Sequence, residues 1–491
     1  MDHPDALYAA LLARDARFDG RFFVGVTSTG IYCRPVCRVR APKRANCRFF
    51  DHPAAAEQSG FRPCRRCRPE LAPPVAASVT GAGLAGVAAA RIDSGLLDEA
   101  GLPGLAARLG LSDRHMRRVF REQYGVSPVA YAQTQRLLLA KRLLTDTVLP
   151  VTEVALAAGF GSPRRFNALF LAQYGMAPSA LRREAAVPAA RDSRPAAEAS
   201  EAGLRFELAF RPPLAWPRLI AFLGARVIPG VERVDQGCYR RSVRVAGATG
   251  EALGWLELAV CEARQTVLAR VPRDLVPVLP QVLAGVRRLC DLACEPTAVA
   301  QALGPLAEEA PGLRIPGAFD GFEMSVRAIL GQQITVRAAN TLAGRLVARF
   351  GAGVATPFAG LDRVFPTPEQ ISALKPQKLL DLGIVRQRAE AILALARAVT
   401  VGALDLGPGA EVAAQLEALL ALPGIGPWTA QYIALRALGW PDAWPSGDLA
   451  LRKAMGGLSA SAADQAADSW RPWRGYAALH LWRRLAEGVR D

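Results

Sequence analysis

Four cysteines are spaced for metal chemistry. Cys33 and Cys37 form C-x3-C in "GIYCRPVCRVR", and Cys64 and Cys67 form C-x2-C in "FRPCRRCRPE". Two close pairs joined by a moderate loop each supply one edge of a tetrahedron, as a four-thiolate zinc site requires. Arg34, Arg38, Arg40, Lys43, Arg44, Arg65, Arg66 and Arg68 surround the pairs. Four thiolates on Zn2+ carry a formal charge of about −2, and the metal keeps the sulfurs deprotonated at neutral pH. A structural zinc knuckle is the plain reading. The arginines add a second one: a sulfur that stays nucleophilic beside a phosphate can take a methyl group from an alkylated phosphotriester. Cys47, in "NCRFF", reads as a strand position. Cys238, Cys261, Cys290 and Cys294 are scattered among apolar residues and read as buried thiols.

A second stretch with chemical content is "LLALPGIGPWTAQYIALRALGWPDAWPSGDLALRKAM", residues 419–455. Leu-Pro-Gly-Ile-Gly between two apolar helices is a tight hairpin. Gly424 and Gly426 permit the turn and let backbone N–H groups approach a phosphate at the start of the next helix. Many helical hairpins use glycine, so the turn alone is a weak signal. Asp448 follows twenty residues after Trp428, and on its own it reads as a helix cap.

The elements that position these residues are legible in outline. An Ala/Gly/Pro-rich stretch over 72–90 leads into an internal repeat, in which "VFREQYGVSP" at 119–128 returns as "LFLAQYGMAP" at 169–178. Each copy follows a short helix, a glycine turn and a second helix, capped by Ser112 in the first and by Ser162 with Pro163 in the second. This is helix-turn-helix grammar, twice. Arg114, Arg117 and Arg118, then Arg164 and Arg165, fall early in the second helices, where a recognition helix meets DNA. The polar run "VPAARDSRPAAEASEA" (187–202) reads as a linker. Beyond it, "LRFELAF", "CYRRSVRVAG", "GWLELAV" and "TVLARVP" read as strands, and "LAWPRLIAFLGARV" and "VPVLPQVLAGVRRLC" as helices. From about residue 294 the pattern is helical.

A chain of 491 residues, 51% hydrophobic, implies about three or four packed domains. Its net charge of +16 is uneven: residues 1–185 hold 26 of the 60 basic and 15 of the 44 acidic residues. A basic front half suits a polyanion, nucleic acid first, although solvated arginines would give the same count. The acidic N-terminus does not read as a signal peptide, and no window is apolar enough for a membrane span. The expectation is a soluble, cytoplasmic, nucleoid-associated protein in which nine cysteines are not a disulfide framework.

Residues 5–72, through "FFVGVTSTGIYCRPVCRVRAPKRANCRFF" and "GFRPCRRCRPE", resemble the N-terminal metal-binding domain of the Ada-type adaptive-response proteins. The resemblance implies that Cys33 is both a zinc ligand and the methyl acceptor, with Cys37, Cys64 and Cys67 as the other ligands. Transfer would be irreversible, and losing one thiolate charge would raise affinity for DNA. Arg34 and Arg38 are candidate DNA contacts. Residues 92–184 resemble the AraC-type DNA-binding domain.

Residues 204–491 resemble the helix-hairpin-helix DNA glycosylases, and among them DNA-3-methyladenine glycosylase II of the AlkA type. The matching stretches include "FLGARVIPGVE", "GLRIPGAFDGFEMSVRAILGQQITV", "LPGIGPWTAQYIALRALG" and "WRPWRGYAALHLW". This implies Asp448 as the catalytic carboxylate and Phe222, Trp428, Tyr432 and Trp482 as the walls of a base pocket. Gln333 would be the side chain inserted where the flipped base leaves, and a monovalent cation would sit on the backbone carbonyls of Leu420, Leu422 and Ile425. A purine methylated at N3 or N7 is cationic and leaves without a general acid, so one carboxylate suffices. Pro427 and Trp428 stand where bifunctional relatives place a lysine, so base excision is expected without strand cleavage. No cysteine follows Cys294, so no iron–sulfur cluster is expected. The Pro-Cys-His-Arg motif of the O6-alkylguanine methyltransferases is absent from the sequence.

The expected fold is therefore multidomain, mainly α with α+β parts. It comprises a zinc/methyl-acceptor domain (1–75), a double helix-turn-helix domain (80–185), a linker (186–202), a small α+β domain (203–293) and an all-α glycosylase domain (294–491). Expected partners are double-stranded DNA, both alkylated and promoter, together with RNA polymerase. No membrane partner is expected, and one chain with two reading heads implies a monomer. Two rivals stay open: a sensor–transcription factor whose back half only binds DNA, and an enzyme whose front half is a non-specific anchor. The hairpin glycines, Trp428 and Asp448 argue against the first.

Overall fold

The computed structural model describes residues 3–75, 83–189, 203–247 and 250–488. Residues 76–82 of the Ala/Gly/Pro stretch and 190–202 of the expected linker lie outside the described residues. The chain divides into two compact units, one holding residues up to 212 with 245–252 and 260–284, the other holding 213–244, 253–259 and 285 onward.

In the first unit a four-stranded sheet comes first: β1 (Phe23–Val26), β2 (Ile31–Cys33), β3 (Cys47–Phe50) and β4 (Arg62–Pro63), in the order β3-β1-β2-β4. Its pleat sorts the side chains by face. Val24 and Cys47 pack with Leu7 and Leu11 of the helix Pro4–Ala13, while Phe23, Tyr32 and Phe50 pack with Ala56 and Phe61. β1 runs antiparallel to β2 and β3, but β2 and β4 run parallel, with Ile31 opposite Arg62 and Tyr32 opposite Pro63.

A buried carboxylate lies behind this sheet. Glu57, on the helix Pro53–Gln58, accepts from the Tyr32 hydroxyl (3.0 Å) and the Thr134 hydroxyl (3.1 Å). Burial pushes its carboxyl up to about 8. A folded-state value above the unfolded one favours the protonated native state, so stability falls as pH rises between the two values. Between about pH 5.5 and pH 8 the front unit should lose on the order of 3 kcal/mol, and Glu57→Gln should flatten that slope. Thermal melts of the zinc-loaded protein across this range check it; a flat wild-type profile contradicts it.

Helices follow: Gly83–Asp93, Leu96–Arg108, Asp113–Tyr124, Pro128–Asp146, Val151–Ala157, Pro163–Tyr174 and Pro178–Ala189. The helix Leu96–Arg108 is kinked at Gly101, and the helix Gly83–Asp93 takes up the end of the Ala/Gly/Pro-rich stretch. Ser112 accepts from the His115 N–H (3.3 Å) and Ser162 from the Arg165 N–H (3.4 Å), as the cap reading expects. Gly125 and Gly175 end the two second helices in left-handed backbone (φ 70° and 68°), a conformation in which glycine carries no Cβ penalty.

A second sheet has the order β5-β9-β8-β7-β6. Its strands are β5 (Leu204–Ala209), β6 (Glu232–Asp235), β7 (Cys238–Gly247), β8 (Gly250–Cys261) and β9 (Thr266–Val271); β6 is the one not anticipated. The segment expected as one α+β domain is shared between the two units. Cys290 and Cys294 are buried as expected, but Cys238 and Cys261 stand at strand ends and are only half-buried, which corrects the buried-thiol reading for those two.

From residue 285 onward the second unit is helical. The helix Gly321–Leu330 runs through its core, with Val326, Ile329 and Leu330 fully buried among Leu346, Ile392 and Ile433. Asp320 caps that helix through the Phe322 and Glu323 N–H groups (2.7 and 3.1 Å). Its polar flank holds a buried ion network: Arg241–Glu323 (2.6 Å), Arg327–Glu232 (2.9 Å) and Arg327–Glu323 (3.1 Å). Among the described residues no helix is long and apolar enough to cross a membrane.

Candidate active site and metal centre

The parallel pairing of β2 with β4 brings the two cysteine pairs together. Cys33 ends β2, Cys64 follows β4, and the Cys64 N–H donates to the Tyr32 carbonyl (2.9 Å). The sulfurs of Cys33, Cys37, Cys64 and Cys67 lie within 4.8 Å of one another. Four sulfurs at a Zn–S distance of about 2.3 Å stand about 3.8 Å apart, so the cluster fits zinc in donor type and spacing. The Arg34 N–H points at the Cys67 sulfur (3.3 Å) and the Arg66 N–H at the Cys64 sulfur (3.4 Å), as outer hydrogen bonds orient metal ligands. Hydrogen bonds among the four sulfurs dominate their acidity, pushing Cys33 up and Cys37 down.

The surrounding arginines divide into two sets. Arg34 turns inward, pairing with the buried Asp19 (2.8 Å from Nε) and donating to the Cys67 carbonyl (3.1 Å). The expected DNA contact is in this structure a brace between the cysteine loops. Arg65 pairs with Glu184, and Arg68 with Glu70 (3.0 Å) and Asp146 (2.8 Å). Arg38, Arg40 and Arg66 are exposed. In the helix-turn-helix repeat Arg114, Arg117, Arg118, Arg164 and Arg165 are all exposed on the helices Asp113–Tyr124 and Pro163–Tyr174.

In the second unit the glycine hairpin joins the helices Val412–Leu420 and Pro427–Arg436. Gly424 is left-handed (φ 76°), and a Cβ there would stand 3.0 Å from the Ala391 Cβ. Gly426, at the N-terminus of the second helix, is exposed with open space about it. The Leu422 carbonyl accepts the Ile425 N–H (3.3 Å) and keeps a second lone pair. Gln332 ties the hairpin to the preceding loop, donating to the Gly424 carbonyl and the Thr429 hydroxyl (both 2.9 Å). Beside it Gln333 is exposed and left-handed (φ 53°), a conformation unusual for a residue other than glycine.

Asp448 is both a cap and a presented carboxylate. Its Oδ1 accepts the Leu451 N–H (2.8 Å) at the start of the helix Leu449–Ala454 and the Trp482 indole N–H (3.2 Å). Its Oδ2 accepts the Trp428 indole N–H (2.6 Å). Trp428 stacks on Tyr432 at 5.3 Å with a 7° interplanar angle, and Tyr432 meets Trp482 edge-on at 6.2 Å. Phe222 joins this group through Arg436, whose guanidinium is 4.9 Å from the Phe222 ring centroid and 5.6 Å from that of Tyr432.

The sequence reading took the two tryptophans as walls and missed that their N–H groups hold the carboxylate. It also missed the brace behind the Asp448 loop, where Asp442 pairs with Arg474 (2.8 Å) and Arg471 (2.6 Å). Trp428→Phe keeps the ring and removes one donor to a charged acceptor. The expected cost is roughly 10-fold in the single-turnover rate of the reaction Asp448 serves. Rapid-quench kinetics would measure it, and an unchanged rate would mean that the indole bond does not orient the carboxylate.

Comparison with known proteins agrees with this arrangement along the chain. The family described as the metal binding domain of Ada matches residues 6–70, and a helix-turn-helix domain family matches 105–184. The AlkA N-terminal domain family matches 205–320, and the HhH-GPD superfamily base excision DNA repair protein family matches 326–471. A Mycobacterium tuberculosis protein named probable bifunctional transcriptional activator/DNA repair enzyme AlkA is 39% identical over 99% of this chain and 98% of its own length. The chain belongs to this family of bifunctional transcriptional activator/DNA repair enzymes. The DNA-3-methyladenine glycosylase 2 of Escherichia coli (strain K12) is 37% identical over 56% of this chain and 96% of its own length. The bifunctional transcriptional activator/DNA repair enzyme AdaA of Bacillus subtilis (strain 168) is 30% identical over 36% of this chain and 82% of its own length.

Proposed function

We propose that the protein repairs alkylated DNA with its second unit and senses alkylation with its first. The second unit is a monofunctional DNA glycosylase that excises 3-methyladenine and other alkylated purines. The observation that carries this reading is the Asp448 carboxylate, held by two indole N–H groups and a helix N-terminus beside stacked aromatic rings. In that setting a flipped nucleotide presents its base to Phe222, Trp428, Tyr432 and Trp482. As the N-glycosidic bond breaks, its electron pair leaves with the base, and positive charge grows on the sugar. Asp448 stabilises that charge and guides water to the anomeric carbon. The hairpin N–H groups at Gly424 and Gly426 grip the backbone, the carbonyls of Leu420, Leu422 and Ile425 hold a monovalent cation, and Gln333 fills the gap in the stack. With no lysine at Pro427 or Trp428, the product is an abasic site. The chemistry requires no iron–sulfur cluster.

The first unit takes a methyl group from a DNA methylphosphotriester. The Cys33 sulfur attacks the methyl carbon, the carbon–oxygen bond breaks, and its electron pair returns to the phosphate as a diester anion. Zinc, when bound to Cys33, Cys37, Cys64 and Cys67, keeps the sulfurs deprotonated. A thioether replaces one thiolate, so the surface loses a negative charge and binds promoter DNA more tightly. Arg38 holds phosphate there, and Arg114, Arg117, Arg118, Arg164 and Arg165 read promoter sequence, in a form that acts as a monomer and meets RNA polymerase. The domain division of 1–75, 80–185, 186–202, 203–293 and 294–491 follows from this reading.

Incubation of the purified protein with methylated duplex, followed by mass spectrometry of the released bases, tests the enzymatic half. Free 3-methyladenine is the expected product. No release from folded protein would leave the rival of a regulator whose second unit only binds DNA.

A further inference from the structure

Two guanidinium groups, those of Arg226 and Arg436, stand in the aromatic group beside Asp448. The Arg226 guanidinium lies over the Phe222 ring, 3.7 Å from its centroid, and donates to the Phe222 carbonyl (3.2 Å). Arg436 lies over the same ring at 4.9 Å and donates to the Tyr432 hydroxyl (2.7 Å) and the Pro316 carbonyl. Among the described residues neither arginine is paired with a carboxylate, whereas the neighbouring Arg241 and Arg327 are paired with Glu323 and Glu232. Arg436 is buried at 4% exposure, and Arg226 is half-buried, as Phe222 is.

Two effects then act on a base entering this pocket. The faces of Trp428 and Tyr432 attract an electron-poor, cationic ring. The guanidinium on Phe222 takes up that ring's own cation-binding face and repels a second positive charge. Its N–H groups also offer hydrogen bonds that only a base with free acceptor atoms can use, and guanidinium has no acceptor to give back. A neutral damaged purine gains from this wall what a cationic one loses.

We propose that Arg226 is a specificity-determining residue, whose guanidinium seated on Phe222 shifts excision away from cationic purines and toward neutral ones. This rests on the glycosylase reading above.

The test uses two duplexes, identical except that one carries a single 7-methylguanine, which is cationic, and the other a single hypoxanthine, which is neutral. Single-turnover excision of each is measured for the wild type, Arg226→Gln, Arg226→Met and Arg226→Lys. The ratio of the two rates is internal to each preparation, so partial loss of folded protein cancels. The glutamine and methionine variants should move the ratio toward 7-methylguanine by about ten-fold or more, and the lysine variant, which keeps the charge, by less than about three-fold. An unmoved ratio in the glutamine and methionine variants overturns the proposal, as does a lysine variant that shifts as far as they do. Absence of excision by the wild type on both duplexes overturns instead the glycosylase reading on which it rests.

Discussion

Asp448→Asn should bind methylated duplex as the wild type does and release 3-methyladenine at least ~10³-fold more slowly under single-turnover conditions. The expectation follows from what each oxygen does. Oδ1 caps the helix Leu449–Ala454, and the asparagine oxygen can keep that bond, so the fold should tolerate the change at a cost of about 1 kcal/mol or less. The charge is lost, however, and an Nδ2 group in the place of Oδ2 sets a donor against the Trp428 indole donor. Among the described residues no other carboxylate takes part in the hydrogen-bonded group of Trp428, Trp482 and Asp448. A variant retaining a tenth or more of the wild-type rate would remove Asp448 from the chemistry.

The second large effect is expected at the metal. Cys64→Ser, or stripping with a strong chelator, should abolish methyl transfer and unfold the segment carrying the first sheet. Strands of two to four residues enclose two small aromatic clusters there, and cores of that size do not sustain a fold alone. A structural zinc site contributes roughly 10 kcal/mol or more to domains of this kind. Polar bonds to the helix Pro128–Asp146, among them the buried Lys141–Glu70 pair (2.6 Å) and Glu57 to Thr134, should hold the segment near that helix without restoring its sheet. Metal analysis should give one zinc per chain for the wild type and a lower, readily lost content for Cys64→Ser. Full zinc content in the variant, or an unchanged melt after stripping, would show that the cluster is not the support of this segment.

The parts of the site that were legible in the sequence are those set by local spacing. Each cysteine pair sits within one turn of chain, so C-x3-C and C-x2-C announced themselves. The caps Ser112 and Ser162 and the terminal glycines Gly125 and Gly175 each bond to a group three or four residues away and revealed the doubled helix-turn-helix. Gly424 and Gly426 marked the hairpin for the same reason. What was not legible depends on partners far away in sequence. The inward turn of Arg34 needs Asp19, fifteen residues earlier, and nothing in "YCRPVC" distinguishes it from the exposed Arg38. The indole bonds to Asp448 span 20 and 34 residues, and Arg436 lies over the Phe222 ring from 214 positions further along the chain. β6 was missed because "ERVD" is short and charged; its Glu232 is buried against the Tyr239 hydroxyl, the Ile228 N–H and Arg327, the last of which stands 95 residues on.

The most direct test of the whole account is one sample read twice. The intact protein is incubated with duplex DNA treated with a methylating agent. The peptide containing Cys33 is then weighed by mass spectrometry, and the free bases are identified from the same tube. One added methyl group on Cys33, none on Cys37, Cys64 or Cys67, and free 3-methyladenine are the expected results. An unmodified Cys33 together with no released base, from folded zinc-loaded protein, would contradict the account.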